Sequence, residues 1–267
     1  MNLFQQPHDL CLESDVLYEL LKNKTDTQLE TVTLFKNWTV NDIIRHLHFW
    51  NYAADLSFRD EAGFLRFFDD IKPNLVANDL RSYEEKWLNG LSGQALLAVW
   101  HDFYKNMTNN ALKEDPKRRV KWAGPSMSIL SSITARLMET WAHGQAIFDV
   151  FGRVREDTDR IKNIVILGIN TFAWTYINQG RDAPTLKPCI RLKAPSGIIW
   201  EFNHSNNGNV IEGLASEFCQ VVTQTRNIGD TDLKVTGDIA NEWMSMAQCF
   251  AGPANRSPKI GERHKAK

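Results

Sequence analysis

The sequence lacks the features that mark nucleic-acid-binding, disulfide-stabilised and membrane-spanning proteins. Its 31 basic and 32 acidic residues leave a formal net charge of −1, which gives no general attraction to nucleic acid or to an anionic membrane. The four cysteines lie at least 30 residues apart, so the chain has no CxxC pair for zinc or redox chemistry. The longest apolar run, residues 164–169, is far shorter than the roughly 20 residues that a membrane span needs.

The N-terminal residues also lack a basic segment followed by an apolar one, so we expect no signal peptide. A chain without disulfide spacing or a leader is typical of a cytoplasmic protein with reduced thiols. The basic cluster at residues 117–121 is short enough to be a solvated loop. We therefore expect a small-molecule substrate as the partner, and neither a membrane nor nucleic acid; the sequence does not define the oligomeric state.

Apolar periodicity predicts that residues 1–152 form a four-helix bundle. A first helix ends near Leu21, and Thr39 and Asp42 have the spacing of a capping box that starts a second helix, running to about residue 57. The third and fourth helices are predicted over residues 93–111 and 128–151, the last stopping at Gly152. Residues 59–89, which contain Pro73, are expected to be irregular.

After Gly152 the pattern changes to short strands alternating with helices. The predicted strands cover residues 189–192, 198–202 and 233–235, and the predicted helices cover residues 157–178, 213–225 and 238–250. The predicted fold class is therefore α+β overall. It comprises a helical bundle over residues 1–152, a smaller α+β domain over residues 153–252, and a disordered basic tail over residues 253–267.

Three side chains in the predicted bundle have the spacing of a metal site. Successive helical residues turn by about 100°, so His46 should face the bundle and His48 the solvent. Glu139 and His143 are four residues apart and share one face of the fourth helix. Two imidazoles and one carboxylate would leave a coordination position open, as in a catalytic zinc site, although Ni²⁺ and Fe²⁺ suit these ligands as well. An ordinary core histidine and a surface Glu–His pair are the alternative interpretation.

Residues 38–47 match the motif W-T-V-x-D-x-x-x-H-L, and residues 139–143 match Glu-x-x-x-His. The chain thereby resembles the DinB-like superfamily, and within it the metal-binding N-terminal domain of the mycothiol-dependent maleylpyruvate isomerase family. The resemblance implies that His46, Glu139 and His143 bind a divalent metal, and that a low-molecular-weight thiol serves as a cofactor.

The resemblance extends over nearly the whole chain, to an uncharacterised group of two-domain metal-binding proteins. Residues 122–128, 188–192, 218–224 and 247–253 are similar to segments of that group, part of whose C-terminal half is labelled as a wyosine-base-formation domain. One position departs from the pattern, because Ala146 stands where the resemblance implies an acidic residue. The resemblance implies that this acid would support a metal ligand or act as a general base, and this chain lacks it.

The expected function is therefore that of a divalent-metal-binding protein, as a thiol-using isomerase or S-transferase. A metal-dependent hydrolase is a second hypothesis, in which Asp42 is the only nearby candidate for a general base. A non-catalytic module that binds a metal or a small ligand is a third. Zn²⁺ is the metal expected first.

Overall fold

The computed structural model describes residues 4–77, 79–204 and 208–263. The chain divides into two compact units, residues 1–144 and 145–267. The first unit is helical and the second mixes helices with a four-stranded sheet, so the predicted α+β class is confirmed. The division lies inside the last long helix of the first half, whereas the sequence places the domain boundary at residues 152–156; that placement stays a prediction. No helix within the described part of the chain is long and apolar enough to cross a membrane.

Seven helices and one two-stranded ribbon make up the first half of the chain as described. The four long helices predicted from the sequence are all present, as α1, α3, α6 and α7. The elements are α1 (Gln6–Leu21), α2 (Asp26–Leu29), α3 (Val40–Arg59), α4 (Glu61–Val76), α5 (Leu80–Trp87), α6 (Gly93–Ala111), β1 (Arg119–Val120), β2 (Met127–Ser128) and α7 (Ile129–Val150).

The segment expected to be irregular instead forms α4 and α5. Asp60 caps α4, because its carboxylate accepts a hydrogen bond from the backbone N–H of Gly63 at 2.9 Å. Pro73 lies in the last turn of α4, where it removes one backbone hydrogen bond and only three helical residues follow it. The two helices cover an aromatic cluster around Phe49 that also contains Phe64. The prediction failed because proline and paired aspartates were taken as helix breakers, while packing against α3 decides the outcome.

The start of α3 follows the predicted capping box. The hydroxyl of Thr39 accepts from the N–H of Asp42, and the carboxylate of Asp42 accepts from the N–H of Thr39, both at 3.0 Å. The helix is buried on nearly every side, because α6 packs along it and α4 and α5 cover a further face. The prediction that His48 faces solvent is therefore wrong, and His48 is 4% exposed.

The second unit contains a mixed sheet with strand order β4-β3-β5-β6, in which β3 and β5 are parallel and the other neighbours antiparallel. One face of the sheet is buried, as Ile190 and Ile211 show, and Arg191 on the other face pairs with Glu201 and Glu212. The helices and strands of the second unit are α8 (Lys162–Asn170), α9 (Phe172–Asn178), β3 (Cys189–Lys193), β4 (Ile199–Phe202), β5 (Val210–Leu214), α10 (Ala215–Val222), β6 (Lys234–Thr236) and α11 (Asp238–Met246).

The described part of the tail predicted to be disordered, residues 253–263, makes hydrogen bonds within the second unit; its disorder stays a prediction. Gln224 and Asn255 exchange two bonds, from Gln224 Nε2 to the carbonyl of Asn255 and from Asn255 Nδ2 to Gln224 Oε1. Asn227 donates to the carbonyl of Pro258, and Arg263 donates to that of Gln224. Polar side chains of the second unit thus make hydrogen bonds to a tail whose composition alone indicates disorder. Residues 264–267 of the predicted tail lie outside the described residues.

Candidate metal centre

His46 is oriented by a buried carboxylate from α5. Its Nδ1 lies 2.8 Å from Oε1 of Glu84, a side chain with no solvent exposure. A carboxylate at this distance accepts the Nδ1–H, which fixes the tautomer and leaves the Nε2 lone pair free to bind a ligand. His46, which α3 directs inward, is thereby held in one rotamer and one tautomer.

Glu139 and His143 contact each other along one face of α7. Oε2 of Glu139 lies 3.0 Å from Nε2 of His143, as the four-residue spacing predicts. Both side chains are largely buried, with exposed fractions of 20% and 10%. Burial opposes ionisation of Glu139, but the hydrogen bond to His143 and the charge of Arg136 outweigh it and lower the pKa of Glu139.

Burial raises the pKa of a carboxyl group but lowers that of an imidazole. In His143, burial, with the nearby charge of His46, outweighs the bond to Glu139, and the pKa of His143 is lowered. An ionised carboxylate beside a neutral imidazole is the protonation pattern that metal coordination requires.

The three residues expected to bind a metal lie together. One potential ligand atom each from His46, Glu139 and His143 falls within 4.8 Å of the other two, and the two imidazole centroids are 5.0 Å apart. Two ligands of one tetrahedral Zn²⁺ are about 3.4 Å apart when their bonds are 2.0–2.1 Å long. The three ligand atoms would therefore have to approach one another by at most about 1.4 Å to hold a single ion.

The segment before α3 places two aromatic rings against the histidines. Trp38 stacks parallel to His143 at 5.9 Å and meets His46 edge-on at 5.1 Å, and Phe35 meets His143 edge-on at 4.8 Å. This turn is closed by bonds from the N–H and hydroxyl of Thr33 to the carbonyl of Trp38. The tryptophan of the W-T-V motif thus shields the site, while its threonine caps the helix that carries His46.

A buried arginine borders the same site. Arg136 lies one turn before Glu139 on α7, with Nη2 at 3.9 Å from Oε1 of Glu139, too far for a hydrogen bond. Its guanidinium lies over the ring of Trp122 at 5.8 Å, and Trp122 in turn contacts Trp50. Burial lowers the pKa of Arg136, against the opposing influence of Glu139. The site is therefore bounded by a cation on one side and aromatic rings on the others.

Comparison with known proteins identifies the family. The family model described as the mycothiol maleylpyruvate isomerase N-terminal domain matches residues 10–148, which is more than half of the chain. The chain belongs to this isomerase-domain family. It is also 33% identical to an uncharacterised protein of Mycobacterium tuberculosis strain H37Rv, over 93% of this chain and 96% of the relative; its counterpart in strain CDC 1551 matches equally.

Two solved structures share the fold of this family member. The crystal structure of the mycothiol-dependent maleylpyruvate isomerase aligns with a TM-score of 0.53 at 17% identity, covering 83% of this chain and 88% of that one. A histidine-to-alanine mutant of that isomerase aligns with a TM-score of 0.54 at 16% identity, over the same shares. At these identities the alignments show a common fold and not a common activity.

Two aromatic residues near His46 on α3 have different surroundings. Trp50 contacts His46, with ring centroids 6.2 Å apart, whereas Phe49 packs into the aromatic cluster with Phe67 and Trp87. Sequence reasoning missed Glu84, because it lies in the segment expected to be irregular. Had the segment been predicted as a helix, Glu84 would have been placed on the same helix face as Trp87, which follows it by three residues.

Proposed function

We propose that this protein binds one divalent metal ion through His46, Glu139 and His143 and is an enzyme that uses a low-molecular-weight thiol. The observation that carries the proposal is the convergence of three donor side chains, with His46 held by buried Glu84. Two imidazoles and a carboxylate suit Zn²⁺ first, and Ni²⁺ or Fe²⁺ next. The family name supports thiol chemistry of the isomerase type.

The residues present fit such an ion. His46 and Glu84 form the carboxylate–histidine arrangement that orients metal-binding imidazoles. Nδ1 of His143 is buried and has no hydrogen-bond partner among the described residues, while its Nε2 contacts Glu139. A histidine and a glutamate that share a hydrogen bond could equally share a metal. The donor set therefore matches the proposal in chemistry and in spacing.

When bound, a divalent metal would supply Lewis acidity that favours the thiolate form of a coordinated thiol. The protein's own residues set the surroundings for that chemistry. Trp38, Phe35 and Trp50 flank the imidazoles and limit the access of water. We propose isomerisation of an unsaturated acid, in which the thiol S–H adds across a C=C bond, the new single bond rotates, and elimination restores the thiol; S-transfer is the related alternative.

Hydrolysis is less well supported, because the residue considered for the general base is engaged. Oδ2 of Asp42 accepts the N–H of Thr39, and Oδ1 accepts a bond from Arg45 at 2.9 Å. A carboxylate committed to a helix cap and an ion pair is a poor proton acceptor for water. The Asp42 geometry thus favours the thiol-using enzyme over the hydrolase.

The cellular setting and the role of the second unit are also proposals. We place the protein in the cytoplasm because its four cysteines are free, as in reducing compartments. In the basic cluster, Arg118 is paired with Glu114 at 2.6 Å, which leaves it little capacity for phosphate. A small-molecule partner therefore remains our proposal over nucleic acid, and the wyosine-like label of the C-terminal half stays a prediction.

Metal analysis of the purified protein tests the proposal. We expect about one divalent ion per chain in the wild type and less than about one tenth of that in His46→Ala. The matched control is His101→Ala, since His101 is a partly buried histidine paired with Asp102 away from the site, and this variant should keep its metal. A stoichiometric metal that survives His46→Ala would refute the assignment.

Thiol use is tested separately on protein loaded with Co²⁺. Titration with a low-molecular-weight thiol should change the visible and near-ultraviolet absorption of the wild type and leave that of His46→Ala unchanged. Turnover of an ester or amide without any thiol would instead favour the hydrolase, and a full metal load without any thiol response would favour the non-catalytic module.

A further inference from the structure

Arg136 is unusual among the buried arginines of the first unit. Its side chain is 5% exposed, and its Nε and Nη1 donors are buried without a partner among the residues described. Arg45, with a similarly buried side chain, leaves its Nε without a described partner but donates from Nη1 to Asp42 at 2.9 Å. A guanidinium removed from water normally requires a carboxylate or other acceptors to compensate for its lost hydration. Arg136 is thus a cation with unused donors.

Glu139 does not act as the hydrogen-bond acceptor that the buried guanidinium of Arg136 requires. It lies 3.9 Å from Arg136, beyond hydrogen-bond distance, and its other oxygen contacts His143. In the proposed function the carboxylate of Glu139 also binds the metal, which further weakens its electrostatic attraction to Arg136. The guanidinium therefore has a neighbouring negative charge, but its Nε and Nη1 have no acceptor among the residues that the structure describes.

Other contacts hold the guanidinium at the edge of the site. Its Cζ lies 5.8 Å from the ring centroid of Trp122, a cation–π contact that uses none of its hydrogen-bond donors. Trp122 contacts Trp50, and Trp50 contacts His46, so the arginine and the histidines border one connected region. Ser132, one turn before Arg136 on the same helix face, adds a second buried donor, since its hydroxyl also has no described partner.

We propose that Arg136, assisted by Ser132, is the subsite that binds the carboxylate of the small molecule held at the metal centre. A planar carboxylate matches the fork of a guanidinium, and a single arginine matches its single negative charge. The higher charge of a phosphate calls for further cations, and Arg45, the other buried arginine among the described residues of the first unit, is already paired with Asp42. This inference deepens the proposed function and rests on it for the position of the ligand, but the subsite can be tested without a metal.

The test uses the full-length protein, metal-loaded and metal-free, with crotonate as the carboxylate probe and crotonamide as its neutral counterpart. Crotonate should bind the wild type and raise its unfolding temperature, and crotonamide should not. Arg136→Met should weaken crotonate binding about 10- to 100-fold, and Arg136→Lys should recover part of it.

Stability distinguishes a binding residue from a structural one. Arg136→Met removes a buried charge without a close partner, so the ligand-free protein should unfold at the same or a higher temperature. Arg45→Met is the matched control: it removes the bond from Arg45 to Oδ1 of Asp42 and should lower the unfolding temperature while crotonate binding is unchanged. A destabilised Arg136→Met that still binds crotonate would show a structural role and overturn the proposal.

The remaining outcomes separate this inference from the proposed function. Crotonate binding that depends on Arg136 in metal-free protein supports the subsite even if the metal assignment fails. Equal crotonate affinity in wild type and Arg136→Met, with the metal present, overturns the subsite alone. Failure of the wild type to bind crotonate, or tighter binding of inorganic phosphate, also overturns it.

Discussion

Glu84 offers the sharpest test of how this site is organised. The substitution Glu84→Gln keeps the volume of a side chain that has no solvent exposure, so packing is preserved. It replaces a carboxylate that can only accept a hydrogen bond by an amide that can also donate one. If the amide donates to Nδ1 of His46, the imidazole proton moves to Nε2 and blocks the atom left for the metal.

The magnitude follows from the 2.8 Å contact between Glu84 Oε1 and His46 Nδ1. Hydrogen bonds to charged groups in buried positions contribute about 1.5–3 kcal/mol. Loss of a carboxylate that orients a metal-binding histidine weakens metal affinity about 10- to 100-fold, or about 1.4–2.7 kcal/mol, which agrees with that range. We expect Glu84→Gln to weaken Zn²⁺ binding by this factor while the number of sites per chain is unchanged.

Competition with a chromophoric chelator measures the affinity, and ¹⁵N NMR of the histidine side chains reports the tautomer of His46. The neighbouring Glu85 is exposed, so Glu85→Gln is a matched control that removes the same charge without touching the histidine. Zn²⁺ affinity of Glu84→Gln within twofold of the wild type would refute the reasoning. So would a wild-type His46 that carries its proton on Nε2.

Two further predictions concern folding. Thr39→Ala removes the hydroxyl half of the capping box of α3, and we expect it to lower the free energy of unfolding by about 1 kcal/mol, seen as a lower urea midpoint with an unchanged slope. Burial lowers the pKa of His48 to about 4 from 6.5, so below pH 6.5 the unfolded chain binds more protons and stability falls as the pH drops towards 4. The free energy of unfolding should fall by up to about 3 kcal/mol over this pH range. The variant His48→Leu should lack this pH dependence. If its urea midpoint falls between pH 7 and pH 5 as steeply as that of the wild type, His48 is not the cause.

The sequence predicted most successfully what local interactions determine. The capping box at Thr39 and the i, i+4 pair of Glu139 and His143 involve neighbouring residues, so their geometry follows from helix formation alone. The bounds of α6 and α7 likewise agree with the predicted helices to within one residue. The association of His46 with the pair on α7 was inferred from helix facing and from the resemblance, and the structure brings the three together.

The features that were missed depend on contacts between distant segments. The side chain of His48 was assigned to solvent because an amphipathic surface helix was assumed, whereas α3 is covered on several sides. Glu84 reaches His46 across 38 positions of sequence, and no local pattern indicates that contact. Strand β5 pairs in parallel with β3, so the partner that stabilises this short segment lies about twenty residues away. In each case tertiary packing supplied information that periodicity does not contain.

The polar face of α7 shows how a functional stripe can be distinguished from a structural one. Ser132, Arg136, Glu139 and His143 recur at helical spacing and are largely buried, where a core-facing stripe is normally apolar. Buried polar atoms without partners cost about 1–3 kcal/mol each, so this stripe lowers stability. Apolar substitutions on it should therefore raise the unfolding temperature while metal or anion binding falls. Truncation of Leu137 to Ala, on the apolar side of α7, should lower stability first and affect binding only through unfolding.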